Sequence, residues 1–219
     1  MIRKLFMPCL AAAAGLIVLA PWLINGAPVE STMGFVQKIF YFHVPSWMVM
    51  FLAAFVCGIA SAVYLFSGRP GADRLASAAA EVVAVFGLIG LVTGPLWGRK
   101  AWGVWWQWDA RLTLSLVVWL MFVGYLLLRR YGGSGANKLA AVLAMFATLN
   151  MPFVYWSVNV WRTVHPSTAV VTTLGPGMRT TFWWCAIGFI TLGTLILAVR
   201  TRLETDQARL DDLYLKLED

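Results

Sequence analysis

Residues 47–66 read Trp-Met-Val-Met-Phe-Leu-Ala-Ala-Phe-Val-Cys-Gly-Ile-Ala-Ser-Ala-Val-Tyr-Leu-Phe, an apolar stretch without one charged side chain. The hydrocarbon core of a bilayer is crossed by about 20 such residues in a helix. The stretch therefore predicts a membrane span. Working outward, five further runs meet the same test: Leu5–Ile24, Ala76–Leu96, Leu112–Leu128, Leu139–Val158 and Phe182–Val199. The composition agrees, with 12% charged residues where a soluble domain carries roughly a quarter. The predicted fold is an all-α integral membrane protein, a bundle of six transmembrane helices. Residues 1–199 form this domain. Residues 200–219 form a polar tail with Leu203, Leu210, Leu213 and Leu217 near helical spacing. The tail reads as an amphipathic helix, lying on the membrane or docking a cytoplasmic partner.

Six spans put both termini on one side, and positive charge says which side. Arg3, Lys4, Arg69, Arg74, Arg129, Arg130, Lys138, Arg200, Arg202, Arg209 and Lys216 fall on the terminal side. Lys38, Arg99, Lys100, Arg111, Arg162 and Arg179 fall on the other. Eleven against six predicts cytoplasmic termini and long connections on the outer face. The net charge of +7 is then a topology signal, not a sign of nucleic-acid binding. The first run has no clean small-x-small site after it, with Pro21 and Trp22 in the way, and reads as an uncleaved span. No G-x-x-x-x-G-K-[ST] sequence is present, so ATP hydrolysis is expected in a partner chain. Cys9, Cys57 and Cys185 lie inside apolar runs without CxxC spacing, which argues against thiol–disulfide chemistry and c-type haem attachment.

The outer connections are long and rich in aromatics, whereas the inner side holds only Tyr131 and Tyr214. An interfacial aromatic belt would populate both faces. Trp102-Gly-Val-Trp-Trp-Gln-Trp-Asp109 is the densest stretch. On a helix, Trp102, Trp105, Trp106 and Asp109 would share one face and form an indole shelf for a large planar apolar ligand. Trp97 adjoins it, Trp108 points elsewhere, and Asp109 also suits the N-cap of the fourth span. The two histidines of the chain, His43 and His165, both lie in outer connections by hydropathy. Neutral imidazole is the usual axial ligand of haem iron, and two such ligands can sandwich one macrocycle. Arg99, Lys100, Arg111, Arg162 and Arg179 are the outer cations available to anionic haem propionates. Basic residues at a membrane edge also snorkel to lipid phosphate.

Inside the spans, Gly90 and Gly94, with Gly87 nearby, favour close helix packing. Pro152 predicts a kink, with Asn150 placed to satisfy a freed carbonyl. Glu81 is the one acid inside a span and reads as interfacial, near the inner end.

Residues 102 to 113, Trp-Gly-Val-Trp-Trp-Gln-Trp-Asp-Ala-Arg-Leu-Thr, resemble the tryptophan-rich WWD signature of haem-handling membrane proteins. Together with Tyr41-Phe-His-Val-Pro-Ser46 and Val158-Asn-Val-Trp-Arg-Thr-Val-His165, they are similar to the CcmC family of bacterial cytochrome c maturation. The resemblance implies haem, b-type and transiently bound, outside the inner membrane with His43 and His165 as axial ligands. It implies that the segment 97–111 cradles haem through Trp97, Trp102, Trp105, Trp106, Trp108 and Asp109 and engages the haem chaperone CcmE. It implies CcmA, CcmB and CcmD as partners, with ATPase activity in the ABC transporter chains and none here. Two other readings remain on the residues alone: a quinol-reacting b-type cytochrome, which would bury its histidines in the bilayer, and a transporter passing haem through its own bundle. A zinc site is poorly served by two histidines.

Overall fold

A computed structural model describes residues 2–166 and 168–218, with the side chains of residues 2–4, 168, 169 and 218 left aside. Ser167 thus lies outside the described residues, as do the side chains of Arg3 and Lys4 used in the charge count. Among the described residues there are six α-helices, α1 (Ile2–Gly26), α2 (Phe40–Ser67), α3 (Pro70–Ala101), α4 (Ala110–Tyr131), α5 (Ala136–Val160) and α6 (Pro176–Glu218), and two short 3-10 helices, Phe35–Ile39 and Thr168–Val171. All six α-helices are long and apolar enough to cross a membrane. Among the described residues there is no strand, only an isolated bridge between Glu30 and Gly34.

The interior is built from small side chains. Ala53, Ala54, Ala76, Ala79, Ala80, Ala140, Ala144 and Ala147 are buried between helices, while Phe66, Leu149 and Phe146 face outward. Lipid is as apolar as leucine, so helices in a bilayer associate through close packing and hydrogen bonds rather than by hiding bulk from solvent. The bonds run from side chains to carbonyls of neighbouring helices. Thr148 Oγ1 shares its proton between Ala144 O of its own helix at 2.8 Å and Ala54 O at 3.0 Å, while Trp119 Nε1 donates to Ala84 O at 2.9 Å and Trp184 Nε1 to Leu16 O at 2.9 Å. The glycines of α3 serve the same end. A Cβ on Gly87 would meet the Trp119 ring, and one on Gly90 would lie 2.6 Å from that of Trp47.

Several helix ends extend beyond the hydropathy reading. Helix α2 begins at Phe40, not Trp47, because Phe40 and Tyr41 pack into a second apolar cluster with Trp97 and Phe182. Pro45 sits inside this helix, and His43 is a buried helical residue rather than part of a loop. Helix α3 runs on to Ala101, so Trp97, Arg99 and Lys100 belong to its last turns. Helix α6 continues unbroken through residues 200–218, about 64 Å in all at 1.5 Å per residue, with Leu203, Leu210, Leu213 and Leu217 exposed. Asn150 Nδ2 bonds Phe146 O at 2.7 Å, not Thr148 O, the carbonyl four residues before Pro152 that lacks its usual partner.

Ion pairs clamp the end that carries both termini. Arg129 binds Asp73 through two bonds of 2.5 and 2.9 Å, joining α4 to α3. Arg200 holds Glu81 through two bonds, joining α6 to α3. Glu81 is therefore a structural acid at the helix–helix seam.

Candidate functional site

The opposite end opens into a cavity lined mainly by aromatic and apolar side chains, the usual make-up of a ligand pocket. His43, Trp47 and Phe51 of α2 line it, with Gly90, Gly94 and Trp97 of α3. Trp102, Trp105 and Trp106 come from the connection, Arg111 and Ser115 from α4, Val154 from α5, and His165 from the segment beyond α5. The two histidines, 122 positions apart by their numbers 43 and 165, thus border one space. A run of rings joins them. The His43 and Trp97 centroids are 5.8 Å apart, Trp97 and Trp102 6.4 Å, and Trp102 and His165 6.4 Å.

The tryptophan segment reaches this geometry without the helix expected of it. Trp102 closes α3, its N–H donating to Gly98 O at 2.8 Å. Gly103 then turns the chain at φ +80°, a conformation side chains disfavour. Arg99 Nη1 donates to Gly103 O at 2.5 Å and fixes the turn. Residues 104–109 follow without regular structure until α4 starts at Ala110. Trp102, Trp105 and Trp106 still line the cavity, placed by the turn rather than by helical spacing. Trp108 is 76% exposed, packed edge-on against Trp106 with centroids 5.8 Å apart. Asp109 does not line the cavity. Its Oδ1 accepts from Leu112 N at 2.9 Å, the N-cap expected for α4.

The histidine hydrogen bonds assign the ring protons. His43 Nδ1 lies 2.9 Å from Thr93 Oγ1. The single Thr93 proton goes to Ile89 O at 2.7 Å, shared with Gly90 O. Thr93 oxygen is then an acceptor, and His43 carries its proton on Nδ1. His165 Nδ1 lies 2.8 Å from Pro166 O, a carbonyl that only accepts, so His165 is protonated at Nδ1 too. Each imidazole keeps an Nε2 lone pair. Burial, aided by the Arg111 charge, brings the His165 pKa down to about 4, so this ring is neutral near pH 7.

Of the five candidate cations only Arg111 lines the cavity, and its Nη1 donates to Val154 O at 2.6 Å and Tyr155 O at 3.2 Å. Arg99 secures the turn, while Lys100, Arg162 and Arg179 are exposed away from the cavity walls. Sequence reasoning missed Thr93, Trp47 and Thr163. Thr93 carried a signal, as a hydroxyl between the paired glycines of an otherwise apolar α3 half. A Cβ on Gly94 would come 3.3 Å from His43 Cε1, so this glycine leaves room for the ring.

A family model described as Heme exporter protein C matches residues 1–215. The chain belongs to the heme exporter protein C family. Among its relatives, the Heme exporter protein C of Escherichia coli is 33% identical over 208 residues, covering 90% of this chain and 82% of that protein. The protein of the same name from Bradyrhizobium diazoefficiens is 40% identical over 181 residues, 80% of this chain and 68% of that one. The counterpart from Paracoccus denitrificans is 29% identical over 211 residues, 87% and 88% of the two chains. In this member of the family, the cavity-lining set draws on α2, α3, α4, α5 and the connections after α3 and α5. No short motif contains it.

Proposed function

We propose that this chain is a haem-handling subunit of cytochrome c maturation that holds haem at the periplasmic face of the bacterial inner membrane and presents it to the chaperone CcmE. It works beside CcmA, CcmB and CcmD, with both termini in the cytoplasm and ATP hydrolysis left to the transporter chains. Haem is its cargo, b-type and transiently bound. One observation carries the reading: both imidazoles border one cavity, and each has Nδ1–H committed to a fixed acceptor. A second hydrogen bond of this kind fixes the tautomer and orients a metal-ligating histidine. The indoles supply a flat apolar wall, and Arg111 supplies a cation for a propionate. Exposed Trp105 and Trp108 at the rim offer a surface where a partner can meet the haem edge.

His43, being helical, removes part of the contrast with a quinol-reacting b-type cytochrome. His165 restores it, since this ring stands in a connection outside every span. Reconstitution with haem in detergent tests the proposal. His43→Ala and His165→Ala are each expected to lose the low-spin, six-coordinate absorption bands, and the double variant to lose haem on desalting and to fail in loading the chaperone. A double variant with unchanged haem content and spectrum would sink the proposal.

A further inference from the structure

We infer that Asp109 is a positioning residue for His165, holding the ligand-bearing connection through one carboxylate oxygen while the other caps α4. The inference rests on the haem reading above. The two oxygens have separate partners. Oδ1 accepts from Leu112 N. Oδ2 accepts from Thr163 Oγ1 in a short bond and from Val164 N at 3.1 Å. Thr163 spends its only proton on Asp109, so its oxygen is free to accept, and it does so from His165 N at 3.1 Å. The carboxylate thereby reaches the backbone of the histidine itself.

Among the described residues, no other hydrogen bond ties residues 163–165 to another element. Residues 161–166 contain no helix or strand. The His165 ring bond to Pro166 O is internal to the segment. Trp161 N donates back to Ser157 O at the end of α5. Among the described residues, Asp109 is what ties residues 163–165 to another element by hydrogen bonds. His43, by contrast, is held by the α2 helix and by Thr93 of α3. One ligand is thus built into the bundle, and the other hangs from a carboxylate at the close of the tryptophan segment. Asp109 itself does not line the cavity, so it acts through His165.

Asp109→Asn separates the two duties. Asparagine caps a helix as well as aspartate does, but its amide has one acceptor oxygen in place of two, and its NH2 cannot accept from Val164 N–H. In the purified full chain with haem, affinity is expected to fall roughly 10- to 100-fold, as for outer partners of metal-bound histidines. The low-spin bands give way to those of haem held by His43 alone, and free imidazole restores them while helix content stays unchanged. Thr163→Val moves the spectrum the same way and serves if Asp109→Asn does not fold. Wild-type affinity and spectrum in Asp109→Asn, or a loss that imidazole does not restore, overturns the inference and leaves the haem reading standing. An unchanged spectrum in His165→Ala removes both.

Discussion

At the scale of single residues, the proposed haem site depends on keeping two imidazoles neutral and oriented. For His165 the direction of the pH effect follows from its surroundings. Burial comes first and the Arg111 guanidinium second in disfavouring the cation, with the Pro166 carbonyl and Asp109 opposing them, and the result is a pKa near 4. An unfolded histidine titrates near 6.5. The unfolded state binds more protons between these values, so the His165 contribution to stability is complete above about 6.5 and is lost as pH falls toward about 4. In the haem-free protein the His165 ring is expected to stay neutral at pH 5.5 in an NMR titration of its ring protons. A midpoint near 6.5 would show the ring to be solvated. The glycines make a second residue-scale prediction. Gly90→Ala brings a methyl to 2.6 Å from the Trp47 ring, and overpacking of this kind costs typically about 1–3 kcal/mol. Its melting temperature in detergent should fall, whereas Gly15→Ala, with nothing within 4 Å, should not lower it.

Between elements, two bidentate ion pairs fasten α3 to its neighbours at the terminal end, and their exposures rank them. The Arg129 and Asp73 side chains are 15% and 14% exposed, those of Arg200 and Glu81 36% and 32%. A charge left unpaired in a buried place costs about 3–5 kcal/mol, while exposed pairs contribute about 0–1 kcal/mol. Arg129→Ala should therefore destabilise the bundle much more than Arg200→Ala in thermal or denaturant unfolding. Equal losses would contradict the ranking. Neither substitution should alter the haem spectrum of the protein that remains folded, because the cavity lies at the other end of α3.

For the whole molecule, helix alternation places the cavity and the tail at opposite ends. Removal of residues 206–219 leaves Arg200, Glu81 and Glu204 in place and is expected to leave haem affinity unchanged. Lower affinity would mean that the tail acts on the site across the bundle. Orientation is tested with a membrane-impermeant maleimide on intact cells. Gln107→Cys, on the cavity side, should label, and Gly133→Cys, in the α4–α5 turn, should label only after lysis. The reverse pattern would invert the topology proposed from the eleven-to-six charge asymmetry.

What the chain alone determined was its class, its six spans and the residues with chemistry to offer. Span length and charge bias act locally, and a protein with two histidines and a run of tryptophans offers few alternatives. Arg129 and Asp73 were visible as charges, but not as a pair, because 56 residues separate them. Tertiary structure decided the rest. Phe40 and Tyr41 are helical because Trp97 and Phe182 pack on them, and that packing turns His43 from a loop residue into a buried one. The indole wall comes from a turn at Gly103, which no helical wheel over residues 102–109 can draw. The protons on His43 and His165 are assigned by Thr93 and Pro166 O, and Asp109 meets Thr163 across 54 positions. Such contacts form between segments brought together only when helices pack, so periodicity along the chain carries no trace of them.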